Sequence, residues 1–287
     1  MKPAGATPVH ERVALQQLAC HRLYWPGGDA VCVAEHGAQV LSWMAGGSER
    51  LYLSPRAVLD GSAAIRGGIP VCWPQFSDRG PLPRHGWVRQ VPWRFARAEL
   101  GVAEASLRFE IDPAACRPAG VDWQHRCRLA LTVTLSSGCL TVSLAIHNEG
   151  PTVLPFTGAL HTYLALDDAN RASVSGWPDG GRGWDSVRGA PCPVLPALPL
   201  QGEIDRILPA APEGLGVDDG TKRLAVTQVG WSDTVVWNPG PDKAAAMADL
   251  PPGGERRLAC VEAAQALAVA EVAPGATWVG HQRLVLA

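Results

Sequence analysis

Three arginines and a histidine stand among glycines, prolines and tryptophans in Arg66-Gly67-Gly68-Ile69-Pro70-Val71-Cys72-Trp73-Pro74 and in Arg84-His85-Gly86-Trp87-Val88-Arg89. Neither segment has a helical or strand period. Ordering them is unfavourable, because glycine loses the most backbone freedom on folding and proline withholds a donor. Fixed cations beside flat apolar rings suit a ligand with an anionic end and a sugar-like or ring-like body. The same composition also suits a loop that covers a sheet edge, and these residues alone do not separate the two.

Two further residues have acid/base chemistry. His161 lies in the apolar run Gly158-Ala159-Leu160-His161-Thr162-Tyr163-Leu164. Partial desolvation there would favour the neutral ring, although a satisfied core histidine is the plainer reading. Glu262 ends the run Leu258-Ala259-Cys260-Val261-Glu262. Burial would raise its pKa and make it a base poised near neutrality, whereas a strand-end carboxylate facing water is the ordinary case. Asp205 beside Arg206 is a weaker candidate that reads equally as solvated surface, and Trp237 offers a ring for sugar stacking.

Other chemistries lack support. The chain has no G-x-G-x-x-G, P-loop, G-x-S-x-G or C-x-x-C pattern, and its histidines are not spaced as metal ligands. Its 25 Lys and Arg against 27 Asp and Glu give a net charge of −2 without a basic run, which argues against a nucleic-acid partner. No segment reads as a membrane span or a signal peptide. Of eight cysteines, Cys32, Cys127, Cys139 and Cys260 sit in apolar strand-like runs, where free cysteine behaves as a small hydrophobe. A cytoplasmic location is expected.

Strands must position these groups. Cys127, Leu129, Leu131, Val133 and Leu135 alternate with polar residues, and after Ser136-Ser137-Gly138 the pattern resumes with Leu140, Val142, Leu144 and Ile146. This predicts a hairpin. Similar short runs recur to the C-terminus, with separate strands expected over Leu258 to Glu262 and Leu267 to Val272. No long amphipathic helix is evident. The expectation is an all-β chain, a large antiparallel β-sandwich forming one domain over residues 1–287. The first ~20 residues are expected as a loose extension, and the Pro-, Gly- and Asp-rich stretch from Ser175 to Gly220 as long surface loops.

Taken together, the two Arg-rich motifs, Leu160-His161-Thr162-Tyr163, Gly202-Glu203-Ile204-Asp205-Arg206, Val235-Val236-Trp237-Asn238-Pro239 and Cys260-Val261-Glu262 resemble the aldose 1-epimerase superfamily, most closely its hexose-6-phosphate mutarotase branch. The motifs run in order from about residue 30 to the end. The resemblance implies a galactose-mutarotase-type sandwich and interconversion of the α and β anomers of a hexose 6-phosphate, with glucose 6-phosphate the leading candidate. By motif position it implies His161 and Glu262 as the catalytic pair. Arg66, Arg89 and Asp205 fall at substrate-binding positions, with His85 in the same pocket segment. Arg84 stands where the family often has Gln; it could contact the sugar, add charge near the phosphate, or face away. One acid and one base suffice for ring opening, so no metal or other cofactor is expected. The expected partner is the small-molecule substrate, bound by a monomer. A mutarotase of free sugars and a noncatalytic carbohydrate-binding sandwich are the alternatives.

Overall fold

The computed structural model describes residues 7–287. It is built from three antiparallel sheets. The first is a meander of five strands, Val9–Leu15, Leu18–Tyr24, Ala30–Ala34, Val40–Ala45 and Ser48–Glu49. The loose extension expected near the N-terminus is therefore corrected from Val9 onward. There, Val9 to Leu15 pair residue by residue with Tyr24 to Leu18; only the part of that expectation on residues 1–6 lies outside the described residues. Half-buried Val9 and Val13, paired along a whole strand, tie this segment to the sheet.

The second sheet has nine strands. Its centre is the expected hairpin, Cys127–Ser136 and Cys139–Asn148, flanked by Thr277–Leu286 on one side and Glu104–Ile111 on the other. Cys127, Leu129, Leu131, Val133 and Leu135 are all buried, as their period of two requires. The two-residue turn ends at Gly138 with φ +65°.

The third sheet has eight strands and carries the chemistry. In spatial order its path is Ala190–Pro193, Arg182–Asp185, Ile204–Pro209, Asp233–Asn238, Leu258–Val272, Leu154–Leu160 and Val71–Cys72, with Tyr163–Ala165 also pairing to Leu258–Val272. Two expectations fail here. Leu258–Val272 is one continuous strand, so Glu262 lies inside it rather than at its end. The stretch from Ser175 to Gly220 holds short strands of three to six residues rather than long loops. Strands that short show no readable alternation, and the edge hairpin Arg182–Asp185 with Ala190–Pro193 places its prolines at a sheet margin, where a missing N–H is tolerated.

The nine- and eight-stranded sheets pack face to face. Leu129, Leu131, Val142 and Leu144 from one join Phe156, Val236, Val261 and Ala263 from the other in the main core. Gln282 crosses this interface, accepting from Thr162 Oγ1 at 2.5 Å and donating to the Val261 carbonyl at 2.9 Å. Because side chains alternate, Val235, Trp237, Cys260 and Glu262 face the opposite way, away from the sandwich core. The Arg-rich segments close over that outer face. Eight of the eleven tryptophans are buried, while Trp184, Trp237 and Trp278 are half-buried.

Candidate active site

Seven expected residues converge on one cavity of about 670 Å³ above the outer face of the eight-stranded sheet: Arg66, Arg84, His85, Arg89, His161, Asp205 and Glu262 all line it. The sheet supplies Glu262 from its central strand, opposite Val235 on the neighbouring strand. Asp205 comes from the next strand, opposite Trp237. His161 occupies the break between Leu154–Leu160 and Tyr163–Ala165. At this break the chain is pinned by His161 N–H donating to the Pro70 carbonyl (2.9 Å) and by Val261 N–H donating to the Thr162 carbonyl (3.0 Å).

The cationic residues arrive on loops that only glycine can complete. Gly68 sits at φ +64°, where a Cβ would lie 2.0 Å from the Val40 carbonyl oxygen, and Gly86 at φ +68°, where a Cβ would lie 1.8 Å from that of Trp73. Backbone crossings this close leave no room for a side chain. They bring Arg66, His85 and Arg89 to the lining of the same cavity. His85 adopts φ +61° itself, and its Nδ1 accepts from the Ser77 N–H at 3.2 Å, leaving Nε2 as the protonated nitrogen.

His161 and Glu262 form the centre. Glu262 is 1% and His161 8% exposed, and His161 Nδ1 lies 3.3 Å from Glu262 Oε1. Neither His161 Nδ1 nor Glu262 Oε2 has a hydrogen-bond partner among the described residues. The imidazole is instead walled by rings: Tyr163 is stacked on it at 4.7 Å and 5°, His85 lies 5.5 Å away, and Trp237 is edge-on at 6.2 Å. Burial, and then the charges of His85, Arg89 and Arg66, hold the His161 pKa well below its ordinary value. Burial, and then the charge of Asp205, raise Glu262 well above its own, with Arg89 opposing. Burial also raises Asp205, while burial and the arginines push His85 down to about 3. In this environment the pair favours a neutral imidazole beside a neutral carboxyl, with one proton between them.

The arginines differ in their commitments. Arg66 donates from Nε to Asp249 Oδ2 at 3.1 Å and from Nη1 to the Tyr163 hydroxyl at 3.0 Å. Arg89 donates from Nη2 to the Arg84 carbonyl at 3.3 Å, and its buried Nε has no acceptor among the described residues. Neither Arg84 nor Arg89 has a carboxylate within ion-pair distance among the described residues. Arg84 lines the cavity and lowers the proton affinity of both His85 and Asp205, so it does not face away. Asp249, Tyr163 and Trp184 also line the cavity but were not singled out in the sequence. Tyr163 could have been found two residues after His161. Asp249, in an Ala-, Met- and Pro-rich connection, carries no sequence signal.

One trio has metal-like spacing: His161, Cys260 and Glu262 offer donor atoms within 4.8 Å of one another. Burial drives the Cys260 thiol well above its ordinary pKa. Cys260 does not line the cavity that His161 and Glu262 line.

The sheet thus carries a sugar-sized cleft with a buried imidazole–carboxyl pair in its wall. Residues 26–285 match the aldose 1-epimerase family, and the chain belongs to it. It is 34% identical over 266 residues to a Cenchrus ciliaris protein provisionally named glucose-6-phosphate 1-epimerase, covering 87% of this chain and 80% of that one. An Escherichia coli protein of the same provisional name is 34% identical over 241 residues, covering 81% and 79%. Among solved structures, a Salmonella typhimurium protein provisionally named a mutarotase superposes with a TM-score of 0.88 at 25% identity, covering 100% of this chain and 96% of that one. The fold is therefore the galactose-mutarotase type, and the chain's activity is interconversion of sugar anomers. No helix among the described residues is long and apolar enough to cross a membrane.

Proposed function

We propose that the chain interconverts the α and β anomers of a hexose 6-phosphate, glucose 6-phosphate foremost, by acid/base-assisted ring opening. The observation that carries this is the buried His161–Glu262 pair on the wall of a cavity that also presents the cations Arg84 and Arg89, neither of them in an ion pair among the described residues. The two oxygens that exchange protons, O1 and the ring oxygen, are bonded to the same carbon. An acid and a base must therefore be neighbours, as these two side chains are.

In the reactive form Glu262 is the carboxylate and His161 the imidazolium, the tautomer of the neutral pair with the same proton count. Glu262 accepts the proton of the C1 hydroxyl while His161 donates one to the ring oxygen, and the C1–ring oxygen bond breaks. Rotation about C1–C2 presents the other face of the aldehyde. Closure then runs with roles exchanged: Glu262 returns its proton to the carbonyl oxygen and His161 recovers its own. Asp205 and the His85 Nε2–H are suited to hold sugar hydroxyls. The phosphate dianion is suited to Arg66 and Arg89, with Arg84 adding charge. Arg66 and Arg89 lower the proton affinity of His161, so a dianion against them favours the imidazolium.

The reading is tested by magnetisation-transfer NMR on α- and β-glucose 6-phosphate. Exchange faster than the buffer rate at micromolar protein, with free glucose much slower, is the expected result. Equal acceleration of both sugars would indicate a free-sugar mutarotase, and binding without exchange a noncatalytic sugar-binding sandwich. The eight cysteines are all free thiols, which suits a reducing compartment.

A further inference from the structure

His161 Nδ1, although 3.3 Å from Glu262 Oε1, has no hydrogen-bond partner among the described residues. In most acid/base sites a third polar group orients the imidazole. Here stacking takes that part, and Tyr163 supplies the closest and most parallel ring, 5° from the imidazole plane. Tyr163 is itself buried, and its hydroxyl accepts from Arg66 Nη1. The far edge of that guanidinium is tied by Asp249 through Nε. Arg66 Nη2 has no acceptor among the described residues, and the side chain, 25% exposed, lines the cavity. A continuous chain of contacts thus runs Asp249, Arg66, Tyr163, His161, Glu262, from a free guanidinium edge to the reacting pair.

We propose that Tyr163 and Asp249 are positioning residues through which an anion on Arg66 sets the placement of His161, so that the phosphate raises turnover as well as affinity. The inference rests on the phosphate reading above. Its physical content is that remote binding free energy is realised at the reacting end. An anion drawn to Nη2 reorients the guanidinium; the phenol follows its hydrogen bond, and the stacked imidazole follows the phenol. Asp249 fixes the pivot. Without it, Arg66 is free to meet an anion with no consequence for Tyr163.

Three variants separate the links. Tyr163→Phe keeps the stacked ring and removes the hydroxyl, Tyr163→Leu removes the stack, and Asp249→Asn removes the pivot's charge. Each is assayed for kcat and KM on glucose 6-phosphate and on glucose, with and without added phosphite dianion, and by 15N NMR of the His161 imidazole during titration with inorganic phosphate. In the unaltered chain, phosphate should shift the His161 signals, and phosphite should accelerate glucose turnover. Tyr163→Phe should abolish the His161 response and phosphite activation. It should also lower the kcat ratio of glucose 6-phosphate to glucose about tenfold, the loss of one charged hydrogen bond. Asp249→Asn should weaken the same readouts, and Tyr163→Leu should lower kcat on both sugars.

A Tyr163→Phe chain that keeps its His161 response and its kcat ratio overturns the proposal, as does an equal loss on both sugars, which would mark a merely structural role. If the unaltered chain fails to exchange anomers, the hexose-phosphate reading falls. The His161 response to phosphate, compared between the unaltered chain and Tyr163→Phe, still decides the relay.

Discussion

Replacing Glu262 with Gln should lower activity and raise relative stability at higher pH, and these two effects have separate causes in the structure. The substitution preserves shape in a site where Glu262 is 1% exposed and 3.3 Å from His161. It removes the group that takes the O1 proton. Positioned proton transfer contributes about 10²–10⁴-fold, so kcat should fall by that factor, equivalent to roughly 3–5 kcal/mol of barrier. The stability effect follows from the raised pKa. Above the ordinary value of 4.5, the unfolded chain releases the Glu262 proton while the folded chain retains it. Stability therefore declines as pH rises from 4.5 toward the folded pKa. The Glu262→Gln chain has no such slope. Burying an amide in place of a carboxyl shifts stability by an amount independent of pH, so the diagnostic quantity is the change in Tm difference between variant and parent. That difference should move in the variant's favour from pH 5 to pH 8, each ~1 kcal/mol appearing as roughly 2 °C in a chain of this size. Calorimetric scans at several pH values, with exchange NMR on the same samples, make the measurement. A folded variant within tenfold of the parent's rate, or a Tm difference flat across that range, would refute the assignment of Glu262 as a buried base.

Three further outcomes are expected. Arg66→Ala and Arg89→Ala should each weaken glucose 6-phosphate about 10- to 100-fold in kcat/KM, the range for one charged hydrogen-bonding group, and affect glucose far less; steady-state exchange rates on both sugars check this. His85, held near pKa 3 by burial and the arginines, binds fewer protons folded than unfolded between about pH 3 and its ordinary 6.5. Stability should therefore rise with pH across that window, and His85→Gln should flatten part of the rise by an amount on the order of 3 kcal/mol, as read from denaturant midpoints at pH 4 and 7. Gly68→Ala, which would set a Cβ 2.0 Å from the Val40 carbonyl oxygen, should cost more than about 2 kcal/mol; a Tm unchanged from the parent would contradict the loop geometry.

The sheets were legible where the period of two was sustained. The Cys127–Leu135 and Leu140–Ile146 runs show it for five and four inward residues, and both strands formed as read. It failed between Ser175 and Gly220 because most strands there, of three or four residues, complete at most two alternations, and turn chemistry dominates their composition. The division of Leu258–Val272 into two strands has a similar cause. The run Ala263-Ala264-Gln265-Ala266 lacks bulky residues, yet Ala263 and Ala264 pair on both sides, Gln265 pairs with Gly158, and the Ala266 N–H donates to Asp233 Oδ2, which carries the strand through it. For the site, residues of unusual type in apolar surroundings were visible, which is why His161 and Glu262 stood out. Their adjacency was not, because it depends on a strand break at residue 161 and on sheet register between segments a hundred residues apart. Asp249 was invisible for a different reason. An acid in a loop reveals nothing until the arginine it grips is known.

The charge distribution gives these parts a common logic. The chain as a whole is slightly acidic, but Arg66, Arg79, Arg84, Arg89 and Lys243 all line one cavity. Cations near an imidazole suppress its protonated form, which works against an acid catalyst. The conflict disappears if the substrate is a dianion, because its charge offsets the arginines nearest His161 and the imidazolium–carboxylate tautomer gains accordingly. A neutral sugar brings no such compensation and leaves the pair in its neutral form. Discrimination between the two substrates would then arise in the protonation state of the reacting pair as well as in binding. The pH profile of kcat for glucose 6-phosphate should accordingly show an imidazole pKa above that of the ligand-free chain, and the two profiles coinciding would remove the electrostatic basis of the preference.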